Sequence, residues 1–301
     1  MKITSLKNVQ VFRANIDTSK LLDCLEEHAL REIGDLERET IGFTPAPHQD
    51  NLLTPLEDAW CWHVTLEKKQ ILRSGLKLER EKRVAKIKQT EGRELTWDEE
   101  KAIQEQILNE QLRKALVKQT HSTAYYFPEK KILLVDGPDD CVQSLLNLTR
   151  KAIGSLKCSP ICVDDLKRLV TDALNKRDDN ELRHHYLDGE LELKNSNKEI
   201  IKYKDSELDF ANKQLMENLE GSFEPESARF KCSHASFVLP KRTMKLKRLN
   251  FSNPIDSYNE DDMGQAWRHE ISVRLQFLVS AIMPLIHRDD LEMLIEMQEA
   301  A

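Results

Sequence analysis

LEKKQILRSGLKLEREKRVAKIKQTEGRELTWDEEKAIQEQILNEQLRKALVK, residues Leu66–Lys118, reads as two helices joined by a polar turn, set between segments that read as strands. From Glu67 to Arg93, ten Lys and Arg stand against four Glu, a local balance of +6 in a chain whose total is −7. Thr96 followed by Glu99 fits a capping box, in which hydroxyl and carboxylate satisfy the free amides of a starting helix. Ile103, Ile107, Leu108, Leu112 and Leu116 follow helical spacing and give the second helix one apolar stripe. Such a hairpin is expected to project from a sheet rather than cover it. A basic helix on a projecting arm can contact a polyanion, or another copy of itself, without disturbing the core.

Strand patterns flank the arm. Lys7–Arg13 alternates, and Thr18 or Ser19 then caps a helix carrying Leu21, Leu22, Leu25 and Leu30. Thr40–Asn51, with Pro45 and Pro47, reads as a strand end and a loop, and Trp60–Val64 as a strand with one aromatic face. Beyond the arm, Ser122–Phe127 and Lys131–Val135 form a hairpin, followed by a helix over Asp139–Ile153 closed by Gly154. The second half mixes elements again: a helix from Asp164 to Leu174, a polar loop at Arg177–Asn180, strands at Glu190–Leu193 and Glu199–Lys204, and a helix over Ser206–Leu219. Strands at Arg229–Cys232, Ser236–Leu239 and Met244–Phe251, then a long helix over Glu260–Pro284 and a short one, complete it. The implied class is α+β with the basic arm inserted. No linker rich in Gly, Pro or Ser separates the halves, which are expected to pack as one body.

With 301 residues, 40% apolar and 32% charged, the composition is that of a globular chain with a wet surface. No apolar run is long enough to span a bilayer, and Met1–Asp17 lacks a signal-type apolar core, so a cytoplasmic protein with no membrane partner is expected. Six scattered cysteines read as buried reduced thiols. Charge is distributed in blocks. Residues 1–65 carry six basic against eleven acidic side chains, residues 255–301 three against ten, and Arg229–Arg248 seven basic with no acid. Blocks of opposite sign can give an acidic protein a positive face, unless folding intermixes them.

Asp136-Gly-Pro-Asp139-Asp140 at a strand end could serve metal-dependent phosphoryl chemistry, but it is also ordinary turn and capping chemistry, the reading preferred here. Cys158, Cys162, His184 and His185 do not have the spacing of a structural zinc site. No nucleotide-cradling or hydrolase motif occurs, so no catalytic residue, metal or cofactor is assigned and the chain is read as non-enzymatic. The cations remain. On the first arm helix Lys77, Arg80 and Lys88 share a broad face, with Arg83 at its edge and Lys86 behind. In the late strand Lys245 and Lys247 are expected on one face, Leu246 and Arg248 on the other. No aromatic residue interleaves with these clusters, so contacts would be to phosphates of duplex DNA, with single strands left open.

The order of elements resembles the RdgC family of bacterial DNA-binding proteins. The resemblance is closest at GFTPA (Gly42–Ala46), along the arm from Glu67 to Ala115, at ILLVDG (Ile132–Gly137) and at RKAIGSL (Arg150–Leu156). It returns at MKLKRLNF (Met244–Phe251) and YNEDD (Tyr258–Asp262). It implies a curved subunit that closes as a ring-shaped homodimer around duplex DNA, binds with little sequence preference, associates with the nucleoid and restrains RecA-promoted strand exchange. By it, residues 71–118 are the helical tip, residues 1–70 and 119–162 the central part, and residues 163–301 the base. The family's tip contact uses a phenylalanine, and the matching position is Leu116. In the basic loop at residues 202–206, Lys204 keeps a cation while Asp205 replaces a second. The expected phosphate contacts are Lys77, Arg80, Arg83, Lys86, Lys88, Lys118, Lys204, Lys245 and Lys247. The competing reading is a protein-interaction scaffold whose arm pairs with a partner helix and never touches DNA.

Overall fold

Val9–Asn15 (β1) organises the sheet, because it pairs antiparallel with three other strands, from both halves of the chain. The computed structural model describes residues 6–19, 21–175, 184–204, 208–209, 211–252 and 262–299. After β1 come Leu21–Glu26 (α1), Glu39–Thr44 (β2), Leu53–Pro55 (β3), Trp60–Lys69 (β4), Arg73–Glu91 (α2) and Trp97–Lys114 (α3). Val117–Phe127 (β5), Ile132–Asp136 (β6), Asp139–Ile153 (α4), Lys157–Pro160 (β7) and Leu166–Asn175 (α5) follow. The rest is Tyr186–Lys194 (β8), Ile200–Lys204 (β9), Lys213–Glu220 (α6), Glu224–Lys231 (β10), Ala235–Pro240 (β11), Lys245–Phe251 (β12), Met263–Ile282 (α7) and Arg288–Glu299 (α8). The strands run β2-β4-β5-β6-β1-β12-β11-β10-β8-β9, with β3 on β4 and β7 on β1. All these pairings are antiparallel, and the fold is mixed α+β as expected.

The WCWHV strand carries Trp60 and Trp62 on one face, as expected, and is buried on both faces. Trp62 and Val64 join Phe12, Tyr126 and Leu133 under α4, whose Val142, Leu145 and Thr149 point inward; the Trp62 indole N–H donates to the Thr149 hydroxyl at 3.2 Å. Cys61 on the opposite face belongs to a larger core reaching Leu169, Phe237, Ile271 and Leu294. That shared core, the β1–β12 pairing and the Arg13–Asp290 ion pair at 3.2 Å join the two halves.

Three local expectations need correction. First, α1 stops at Glu26, so Leu30 is not on it. The chain turns to run beside β2, where the Leu30 N–H donates to the Phe43 carbonyl at 2.9 Å and the Phe43 N–H to the His28 carbonyl at 3.0 Å. Pairing along an open sheet edge satisfies more backbone than another helical turn would. Second, α6 begins only at Lys213, because the Asn212 side chain caps it by accepting from the Leu215 N–H. Residues 206, 207 and 210 of the expected helix, the loop at Arg177–Asn180 and most of Tyr258–Asp262 lie outside the described residues. Third, β12 carries a bulge. Arg248 takes φ +52° and the register against β11 shifts, so Leu246 and Leu249 point inward while Lys247 and Arg248 are both exposed.

Candidate nucleic-acid interface

The arm is a polar hairpin fastened by charge more than by packing. No residue of α2 is buried, and α3 buries only Ile107 and Leu112. Arg83 closes the pair: its guanidinium donates to Glu79 one turn back and, in bidentate fashion at 3.1 and 2.6 Å, to Glu110 on α3. These hydrogen bonds raise the Arg83 pKa and lower that of Glu110. At the distal end Gly92 ends α2 with φ +66°, and the capping box of Thr96 and Glu99 starts α3. Arg93 also binds Glu99, and hydrogen bonds from Arg93 and the Thr96 N–H hold that carboxyl at about 2. Trp97, 74% exposed, lies here beneath the Lys101 ammonium, an aromatic neighbour of the arm cations that wheel reasoning on α2 alone missed.

Where the arm leaves the sheet, a cleft of about 700 Å³ opens. Six cations line it, Arg38, Lys68, Lys69, Arg73, Lys77 and Arg80, against one carboxylate, Glu39. Arg73, Lys77 and Arg80 stand at i, i+4 and i+7 of α2 and so share a face. The β2–β4 register places Glu39 opposite Lys68, and the Lys69 N–H donates to the Arg38 carbonyl, which brings Arg38 to the same mouth. Lys68 meets Glu39 at 3.3 Å, Lys69 donates to the Gly34 and Asp35 carbonyls, and Lys77 faces Glu81 at a loose 3.9 Å. Arg38, Arg73 and Arg80 have no ion-pair partner among the described residues. Lys118 lies directly across from Lys68 on β5 and adds to the same field.

The structure thus gathers Lys77, Arg80 and Lys118 and separates the others. Arg83 is spent on the helix–helix clip, Lys88 pairs with Glu94, and Lys86 is an exposed side chain away from the cleft. The acid-free run Arg229–Arg248 is intermixed with acids from elsewhere. Arg229 meets Asp188 and Glu190, Arg248 meets Glu190, Lys241 meets Glu224, and Lys245 meets Asp139. Lys247 stays exposed, and Lys204 ends β9 opposite Glu190; Asp205 lies outside the described residues. Leu116 sits at the root of the arm, not its distal turn, where its carbonyl accepts the Gln70 N–H at 2.9 Å; it is 77% exposed, and Leu72 and Val117 are exposed too. Arg38, Lys68, Lys69 and Arg73 were missed as site residues. Lys68, Lys69 and Arg73 belong to the +6 block, whereas only the sheet register reveals Arg38.

Of the carboxylates considered for metal chemistry, Asp136 accepts the Lys7 and Asn8 amides at 3.0 Å each, and Asp139 binds Gln10 and Lys245. Among the described residues no three His, Cys, Asp or Glu converge in a metal-binding arrangement. His185 is instead buried and bonded to the Ala281 carbonyl. No described helix is long and apolar enough to cross a membrane.

A second cleft, of about 590 Å³, lies farther along β2, β4 and β5. In it His63, 7% exposed, stacks on His121 with ring centroids 5.3 Å apart. Burial, and secondarily the charge of His121, holds the His63 imidazole at about 4, below its ordinary 6.5. Between pH 6.5 and 4 the unfolded chain therefore binds a proton that the folded chain does not. His63 contributes stability above pH 6.5 that is lost as pH falls toward 4, up to roughly 3 kcal/mol. Urea unfolding at pH 7.5 and 4.5 should show a smaller acid loss for His63→Gln than for the natural chain.

The model of a family described as "Putative exonuclease, RdgC" matches residues 5–292. The chain belongs to the RdgC family. RdgC relatives extend along nearly its whole length. A protein of Shewanella oneidensis named "Recombination-associated protein RdgC" is 25% identical over 291 residues, 93% of this chain and 94% of its own. One of Shewanella piezotolerans with the same name is 24% identical over 265 residues, covering 85% and 86%. Another, of Pseudoalteromonas atlantica, is 22% identical over 263 residues, also 85% and 86%. The resemblance drawn from the local strings and from the order of elements holds for the family.

Proposed function

We propose that the chain binds duplex DNA without sequence preference, as a homodimeric ring that occupies DNA and thereby restrains RecA-dependent recombination. The observation that carries the proposal is the arm-root cleft, where six cations face one carboxylate and three guanidiniums have no acidic partner among the described residues. Guanidinium groups suit phosphate oxygens, and such contacts carry no base information. The relatives' name supplies the recombination role. In this reading residues 71–118 form the tip, residues 163–301 the base, and Leu116 with the exposed Leu72 supplies apolar surface for a second copy. Lys204 and Lys247 add outlying phosphate contacts, and the protein acts by occupancy rather than by cleavage, at the nucleoid.

The test is fluorescence anisotropy with two unrelated labelled duplexes across salt, together with sedimentation of the free protein. Equal affinities that fall about 10³-fold between roughly 50 and 200 mM salt are expected, the behaviour of about six phosphate contacts, with a dimer in sedimentation. No binding at low salt would overturn the reading and leave the arm as a scaffold for a protein partner. Loss of label from a linear duplex with Mg²⁺ present would overturn action by occupancy.

A further inference from the structure

The second cleft is chemically the opposite of the first. Its floor is the stacked His63–His121 pair, with ring planes 25° from parallel. Each imidazole has Nδ1 committed to a threonine hydroxyl, His63 to Thr123 at 2.7 Å and His121 to Thr65 at 3.1 Å; Thr65 in turn meets Thr44 at 2.8 Å. No further hydrogen bond to either ring occurs among the described residues, so each Nε2 is left for a ligand. At one end stands Asp136, whose Oδ1 is satisfied by two backbone amides, leaving Oδ2 to accept another donor. Trp267 and Ile271 of α7 supply an apolar wall, and Lys7 is the one Lys or Arg in the lining.

The groups inside are polar, and Lys7 is the one side chain among them that is cationic by its ordinary chemistry. Burial keeps the His63 ring neutral and raises the Asp136 carboxyl. A bare phosphate would face a buried carboxyl and a single lysine. A simple ammonium would have no use for the flat imidazole pair. A planar heterocycle whose edge both donates and accepts would use the stacked rings, the free Nε2 positions and Asp136 together, and the volume suits a nucleoside-sized ligand.

We propose that the cleft between the His63–His121 pair and Trp267 is a nucleobase-binding site, with the base against the imidazoles, its edge at Asp136 and its phosphate toward Lys7. The base can come from a free nucleotide or from an unpaired position of a DNA strand. The site is independent of the duplex-binding reading, because a free nucleotide would fill it without any contact to the arm.

The probe is 2-aminopurine, whose fluorescence is quenched by stacking, added to the full chain as its 5′-monophosphate or as the terminal unpaired base of an oligonucleotide. Saturable quenching is expected with at least one of the two, and which one responds identifies the source. His121→Ala, at an exposed ring, and Asp136→Asn, a change of nearly constant shape, should each weaken it about tenfold or more, with melting checked for both. Lys77→Glu with Arg80→Glu in the other cleft should leave quenching of the monophosphate unchanged. Absence of saturable quenching with both probes, quenching unaltered in the two site variants, or competition by inorganic phosphate equal to that of the nucleotide would overturn the assignment.

Discussion

Reversing Arg73, Lys77 and Arg80 to Glu together is expected to weaken duplex binding by about 10²-fold or more at roughly 100 mM salt, and to flatten the salt dependence by nearly three contacts. These side chains lie one helical turn apart on the cleft face of α2, and two of them have no acidic partner among the described residues. Reversal therefore removes three attractions and adds three repulsions where the phosphates would lie. Folding should hardly change, because α2 buries no side chain and surface substitutions of this kind usually stay within about 0.5 kcal/mol. The informative comparison is Arg83→Glu with Glu110→Arg, which keeps the interhelical ion pair in reversed order. That exchange also alters a cation on α2, yet its affinity should remain within a few-fold of the natural chain. Anisotropy at three salt concentrations separates the two variants. Equal losses would mean that the arm binds through diffuse charge rather than through the cleft.

The contrast shows what the sequence could and could not carry. Helical spacing of apolar residues located α3 and α4, and short runs of apolar and aromatic residues located β4, the buried end of β5 and β6, whose buried stretches are continuous rather than alternating. The capping box was legible because it is local, all within four consecutive residues. The site was only half legible. Lys77 and Arg80 are neighbours on a helix wheel, but Arg38 reaches the same cleft through a strand pairing about thirty residues away in sequence. The acid-free run from Arg229 to Arg248 misled for the converse reason. Its partners Asp188, Glu190, Glu224 and Asp139 come from other strands and a helix, so counting charge along the chain could not show their neutralisation. The β12 faces failed at one residue, Arg248, whose left-handed backbone no alternation rule anticipates.

Gly42→Ala should destabilise the protein by roughly 3 kcal/mol or more, among the largest effects of any single methyl group here. A Cβ at this position would lie 2.2 Å from the Leu30 Cα and 2.4 Å from its nitrogen. Those are backbone atoms and cannot rotate aside as a side-chain tip would. Residues 28–30 must move away from β2, which breaks the Leu30–Phe43 and Phe43–His28 hydrogen bonds and loosens Phe43, a fully buried member of the core beside Trp62. The damage should also reach the cleft, since β2 begins at Glu39 and the Arg38 carbonyl is held by the Lys69 amide. Gly75→Ala supplies the opposite sign with the same chemical change. On α2 the new methyl would meet only the Leu72 Cβ at 3.8 Å, an ordinary contact, while replacing glycine in a helix gains about 0.5–1 kcal/mol. Urea unfolding should therefore show a lowered midpoint for Gly42→Ala, and circular dichroism an equal or higher helix content for Gly75→Ala. If Gly42→Ala unfolded like the natural chain, the close passage of residues 28–30 over β2 would not exist in solution, and the edge that positions Arg38 would need another support.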